Sequence, residues 1–279
     1  MNSEAPIDEI VRRVRAVAGV RAIVLGGSRA RGTHTATSDT DLGLYYDPDR
    51  PLDLAALDEV AAELDDRRRS GLVTPVGGWG PWVNGGGWLT VQSHAVDFIY
   101  RDLRQVAGVI DACRRGEVGI VYQPGHPHGF VSSIYLAEIA TCRPLWEADG
   151  EITALQRLAS PYPAALRSAL IGKFGWEVRF ALETARKCID RADVVYAAGA
   201  TFRAAICLLQ VLFALNEQPW LNEKGAVAMA ESFPRRPPRL RARLEAAFTR
   251  LAADGDAIRA AIDDLDALEG DLAALIAER

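Results

Sequence analysis

The sequence predicts an α+β domain followed by an all-helical domain, with the division at residues 125/126. Three observations predict this. Short apolar runs bounded by glycine or polar turns fall at residues 20–25, 39–46 and 89–100. From residue 131 to 276 the apolar residues instead recur at steps of three and four. No internal repeat links the two halves. A chain of 279 residues can fill two such cores, residues 1–125 and residues 126–279.

Each element has its own signal. Ile7, Ile10, Val11, Val14 and Val17 predict a helix over residues 5–18, which Gly19 can end. Residues 20–25 read as a buried strand, and Gly26-Gly27-Ser28 as the turn after it. A polar connection over residues 29–38 leads into residues 39–46, which alternate as a strand does, and Asp47-Pro48-Asp49 closes them. Leu54, Leu57, Val60, Ala61 and Leu64 mark a helix over residues 52–68. The glycine- and tryptophan-rich stretch 76–88 predicts a hairpin or a pair of irregular strands, residues 89–100 a further strand, and residues 102–113 a helix. The loop Gly125-His126-Pro127-His128-Gly129 leads to helices expected over 131–142, 151–159, 163–190, 194–215, 222–231 and, with breaks, 238–276. The stripe Ile258, Ile262, Leu265, Leu268, Leu272 and Leu275 reads as core or as the seam of a homodimer.

Composition narrows the function classes. The hydrophobic share of 49% and charged share of 25% are those of a globular protein. A net charge of −5 weighs against nucleic acid as the main partner, because binding phosphate backbones calls for a basic surplus. The three lysines beside twenty-nine arginines read as codon bias. Cysteines at 113, 142, 188 and 207 have no CxxC spacing and read as reduced core residues, so the expected location is the cytoplasm. No signal peptide opens the chain, and the run 204–215 is too short to span a bilayer, so no membrane partner is expected.

The chemistry concentrates around one strand. Residues i and i+2 of a strand share a face, so Asp39 and Asp41 project together while Leu42 and Leu44 face the core. Two neighbouring carboxylates repel unless a cation joins them, and hard divalent ions such as Mg²⁺ favour such oxygens. Asp97 lies inside the apolar run Val96-Asp97-Phe98-Ile99-Tyr100, where an unpaired carboxylate is costly. If that strand neighbours the first, three carboxylates can hold two metals, the arrangement for in-line displacement at phosphorus. Gly26 and Gly27 let the backbone approach a ligand, Ser28 offers a hydroxyl and an N–H, and Arg29 and Arg31 stand ready to neutralise phosphate charge.

The string Val24-Leu25-Gly26-Gly27-Ser28-Arg29-Ala30-Arg31-Gly32, followed by Ser38-Asp39-Thr40-Asp41-Leu42, resembles the signature of the DNA polymerase beta-like nucleotidyltransferase superfamily. The resemblance is specific over residues 20–46 and extends through Asp97 to Tyr100. It implies a short mixed sheet with helices on one face. It also implies triphosphate binding by Gly27 and Ser28, and Mg²⁺ ligation by Asp39, Asp41 and Asp97. The helical half is similar to that of the aminoglycoside and lincosamide nucleotidyltransferases. No acceptor is carried over from that likeness; the three carboxylates, with a second domain large enough to form an acceptor cleft, lead to the expectation that a nucleoside monophosphate, AMP, passes from an NTP to a hydroxyl of a small, aminoglycoside-like acceptor. Two alternatives stand beside it: a protein or tRNA acceptor, as in the toxin–antitoxin systems whose antitoxins share the Gly-Ser and Asp-x-Asp strings, and a nucleotide-binding regulatory module without turnover.

Other residues carry weaker signals. Candidate general bases are Glu138, Glu177 and Asp97 itself. Lys173 and Lys224 are candidates for reaching phosphate from the helical half, Lys173 being assigned to the nucleotide site with Gly27, Ser28 and Arg31. His126 and His128 suit a cleft lining better than a metal. Trp79, Trp82 and Trp88 either stack on a substrate ring or, more in keeping with ordinary tryptophans, pack against their own domain.

Overall fold

The computed structural model describes residues 6–278. They form a mixed α/β region followed by helices, in two compact units. The first unit begins with α1 (Ile7–Val14), which is one turn shorter than residues 5–18 at its far end; residue 5 lies outside the described residues. There follow β1 (Val20–Leu25), the single turn α2 (Gly27–Ala30), β2 (Thr40–Tyr46) and α3 (Leu54–Leu64). Next come β3 (Gly86–Val91), β4 (His94–Asp102), α4 (Leu103–Arg114), β5 (Ile120–Val121), β6 (Phe130–Val131), α5 (Ile134–Thr141), β7 (Arg143–Glu147) and α6 (Glu151–Ala159).

The sheet has the order β3-β4-β2-β1-β7. Only β2 and β4 run parallel; the other neighbours are antiparallel. One face buries Leu42 and Leu44 of β2, Leu89 and Val91 of β3, and Val96, Phe98 and Tyr100 of β4 in a core shared with Ile10, Val14, Leu57 and Ala61 of α1 and α3. Alternation along each strand therefore sends the intervening residues, including Asp41 and Asp97, to the other face.

Three sequence expectations change here. Residues 89–100 are not one strand: Gln92 and Ser93 take left-handed φ values of 51° and 67° and turn the chain into a β3–β4 hairpin. The two Asp66 carboxylate oxygens accept from the Gln92 and Ser93 N–H groups at 2.8 Å each, holding a turn that lacks the usual glycine or asparagine. Residues 76–85 form no strand; Thr74 and Gly86 instead bridge the base of a loop, Thr74 N–H donating to Gly86 O at 2.8 Å and Gly86 N–H to Thr74 Oγ1 at 3.0 Å. Beyond residue 125 the chain is not purely helical, because β7 returns to pair with β1 at the sheet edge, where Pro144 is tolerated. Beside the expected division at 125/126, the first compact unit accordingly also takes in Phe130–Pro161.

The second unit comprises Cys113–Gly119, His126–Gly129 and Tyr162–Arg279. Its helices are α7 (Ala164–Arg186), α8 (Val194–Leu215), α9 (Ala226–Ala230), α10 (Leu240–Arg250) and α11 (Gly255–Ala277), with one 3₁₀ turn at Ile189–Arg191. α7 and α8 pack along one another, and α11 lies against both. The stripe Ile258, Ile262, Leu265, Leu268 and Leu272 is buried within this unit, as core. α8 is long and apolar enough to cross a membrane by those measures alone, and 72% of its most apolar window is buried among its neighbours. All four cysteines are free and buried.

Candidate active site

The turn after β1 is built around one close approach. Leu25 pairs with Leu42, and Gly26 N–H donates to Asp41 O at 2.9 Å, so the turn starts directly over Asp41. Gly27 has φ +59°, and a Cβ there would overlap Asp41 Oδ2. Only glycine satisfies both the conformation and the space. Ser28, Arg29 and Ala30 complete α2.

Arg29 does something other than wait for phosphate. Its Nε donates to Asp39 O at 3.0 Å and its NH2 nitrogen to Ser38 O at 2.7 Å. The guanidinium thus pins the end of the exposed loop that carries Asp39 into β2. Arg31 Nε donates to Gly27 O at 3.3 Å, buttressing the turn.

Asp41 and Asp97 are direct register partners across the parallel β2–β4 pair, and Trp88 is the direct partner of Asp97 across the antiparallel β3–β4 pair. Paired residues share a face. Trp88, Asp97 and Asp41 therefore form one row across the open face of the sheet, and the row ends beside Gly27. Asp39 stands one residue before β2, exposed. The Asp97 carboxyl is pushed up to about 6, chiefly by burial and then by the negative charges of Asp41 and Asp39. That influence places all three carboxylates in one electrostatic neighbourhood.

Among the described residues, no three Asp, Glu, His or Cys side chains stand closed up as a ready metal cage. The donor chemistry nevertheless fits a hard divalent cation: three carboxylates, oxygen donors only, with a mutual repulsion that a cation would relieve.

Farther along the same face the sheet is covered. Arg101, two positions after Ile99 and four after Asp97, is buried and holds Glu138 of α5 in a bidentate pair, Nε to Oε2 at 2.8 Å and NH2 to Oε1 at 2.7 Å. Both Glu138 oxygens are occupied, which removes it as a free base; its role is to neutralise a buried guanidinium. Glu177 lies on α7 in the second unit, its Oε1 paired with Arg203 Nε at 2.6 Å. Lys173 is half-buried on the same helix, and Lys224 is exposed.

His128 is buried in the second unit, its Nδ1 accepting from Arg203 at 3.3 Å and its backbone N–H donating to Glu223 at 2.8 Å. Burial, and then the Arg203 charge, push its pKa down to about 4 against the pull of Glu223 and Glu177. These surroundings favour the neutral imidazole and give the ring a structural place. Trp82 packs in its own domain, its ring 5.4 Å from that of Phe130 and 5.5 Å from that of Tyr135.

Residues 7–74 match the family model of the nucleotidyltransferase domain. That match takes in Gly27, Ser28, Asp39 and Asp41; Asp97 lies beyond it and joins them through the β2–β4 register. The chain is also similar to the crystal structure of a nucleotidyltransferase-like protein from Exiguobacterium sibiricum, at 12% identity over 95% of this chain and 74% of that one, with a TM-score of 0.46. No curated protein matches the chain. Two features of this site carry no signal in the sequence. The Arg29 clamp carries no pattern of its own. The Trp88–Asp97 pairing becomes readable only once residues 92 and 93 are recognised as a turn, since Val91↔His94 then fixes Trp88↔Asp97.

Proposed function

We propose that the protein transfers a nucleoside monophosphate, AMP, from an NTP to a hydroxyl of a small, aminoglycoside-like acceptor, with Mg²⁺ held by Asp39, Asp41 and Asp97. The observation that carries this reading is the in-register pair Asp41–Asp97 beside a glycine that can bear no side chain. The match of residues 7–74 to the nucleotidyltransferase domain supports the reaction class.

In this reading the bare backbone at Gly27 admits the triphosphate, and the Ser28 hydroxyl and N–H hold its oxygens. Arg29 keeps Asp39 beside the other two carboxylates through its bonds to the Ser38 and Asp39 carbonyls. Arg31 supports the Gly27 carbonyl and adds positive charge near the turn. Mg²⁺, when bound, neutralises charge on the phosphates and polarises the bond to be broken. The attacking hydroxyl oxygen displaces pyrophosphate from the α-phosphorus, and Asp97, in the row between Asp41 and Trp88, is the carboxylate that takes up its proton.

The test is transfer from α-labelled ATP to a panel of hydroxylated small molecules, with Mg²⁺ or with EDTA. Label on a small acceptor, lost with EDTA, is the expected result. Label only on protein or RNA, or transfer undiminished by EDTA, contradicts the reading.

A further inference from the structure

We propose that Trp88, backed by Trp79, is the platform on which the ring of the acceptor lies during transfer, and that the ligand class is a hydroxyl-bearing molecule with a flat apolar ring face. The proposal rests on the nucleotidyltransferase reading above and adds the acceptor subsite to it.

The row across the sheet has a direction. Gly27 presses on Asp41 at one end; Asp41 pairs with Asp97, and Asp97 pairs with Trp88 at the other end. Neighbouring strands lie about 4.8 Å apart. Trp88 therefore stands about 5 Å from Asp97, backbone to backbone across the β3–β4 pair, on the side away from the Gly27–Ser28 turn. A triphosphate seated at the turn leaves the Trp88 side of Asp97 for the group that attacks.

The surroundings make Trp88 a surface to stack on. It is 59% exposed although it belongs to a strand interior. On the same face Gly86 and Thr90 of β3 and Ala95, diagonally on β4, are small, and the bulkier diagonal neighbour, Ile99, lies opposite Gly86. One side of its indole is occupied by Trp79, the ring centroids 4.5 Å apart and the planes inclined by 23°. Trp79 fits there because Gly86 has no side chain; a Cβ at 86 would press on the Trp79 ring and overlap Phe98 O. The Trp79 loop is itself fixed, since the buried Gln123 donates through Nε2 to Trp79 O at 2.7 Å and accepts from Val83 N–H at 3.3 Å. Trp88 is thus an indole held in place from behind and open beside Asp97, whereas Trp82 is consumed by packing. Rigid indoles gain from stacking on aromatic rings and on the C–H face of saturated ones.

The experiment compares wild type, Trp88→Ala and Trp88→Phe by equilibrium dialysis. The ligands are MgATP and, separately, D-glucosamine and adenosine as saturated and aromatic ring probes. Trp88→Ala is expected to weaken binding of at least one ring probe about tenfold, the loss of one stacked ring, with Trp88→Phe retaining most of it and MgATP affinity staying within about twofold in both. The probe affected tells which kind of ring the platform takes. Weakened MgATP binding with unchanged ring probes would assign the platform to the nucleotide base and overturn the proposal; so would ring binding indifferent to residue 88, or no ring binding by the wild type. Asp41→Asn with MgATP tests the underlying reading separately: Mg²⁺-dependent ATP binding unchanged there would defeat that reading while leaving the ring result to stand on its own.

Discussion

The side chain that Gly27 lacks would occupy the space of the Asp41 carboxylate. This one relationship ties the glycine turn to the acidic strand and predicts a specific cost. Gly27→Ala must strain a backbone at φ +59° and push Asp41 aside, so stability falls by about 1 kcal/mol and transfer falls by far more. Gly32→Ala is the control, at φ +69° with open space around it: it should cost similar stability and leave Asp41 undisturbed. Thermal melts and initial rates on both variants check this, and equal rate losses would show that Asp41 displacement is not the cause.

Glu138 offers a contrast between a structural and a catalytic acid. Glu138→Gln leaves the buried Arg101 guanidinium with a neutral partner, so stability should fall by about 3 kcal/mol. The folded fraction should keep its rate, because neither Glu138 oxygen is free in the wild type. Denaturant unfolding and rates normalised to folded protein separate the two; a rate collapse in well-folded variant would restore Glu138 as the base.

His128 gives the second unit a dependence on pH. Its folded pKa, about 4, lies below the ordinary 6.5, so the unfolded chain binds the proton more readily. Stability from this group is complete above about pH 6.5 and drains away as pH falls towards 4, by up to about 3 kcal/mol. His128→Gln should lose stability at pH 7.5 and show a flatter profile between pH 6.5 and 4 than the wild type. Parallel urea titrations check it, and identical slopes would remove His128 as the cause.

How much of this was legible beforehand varies with the range of the interaction. The Gly26-Gly27-Ser28 turn and the alternation of Asp41 against Leu42 and Leu44 are local, and the sequence carries both. Asp97 announced itself as a charge among apolar neighbours, but its partner strand could be named only conditionally. The β3–β4 break stayed hidden because Asp66, more than twenty residues away, holds its turn in place of a glycine. β7 stayed hidden because Arg143 is exposed, the other four residues are half-buried without alternation, and Pro144 speaks against a strand until β1 is there to pair with them. The Arg101–Glu138 pair spans 37 residues, and no spacing rule reaches that far.

Asp97 should show the trade between stability and function. It is held among like charges in a partly buried position, so Asp97→Asn should raise the melting temperature of the metal-free protein while reducing transfer. Differential scanning calorimetry in EDTA checks the first half, and a lowered melting temperature would mean that the carboxylate is held by partners that outweigh the repulsion.

The central claim is that Asp41 and Asp97 together form the reacting centre. It is tested most directly by label transfer from α-labelled ATP with Mg²⁺, wild type beside Asp41→Ala and Asp97→Asn, each first shown to be folded by its melt. Wild type is expected to transfer label and both variants to lose about a thousandfold or more, as when the groups that stabilise developing charge are removed. Transfer by folded Asp41→Ala at the wild-type rate would contradict it.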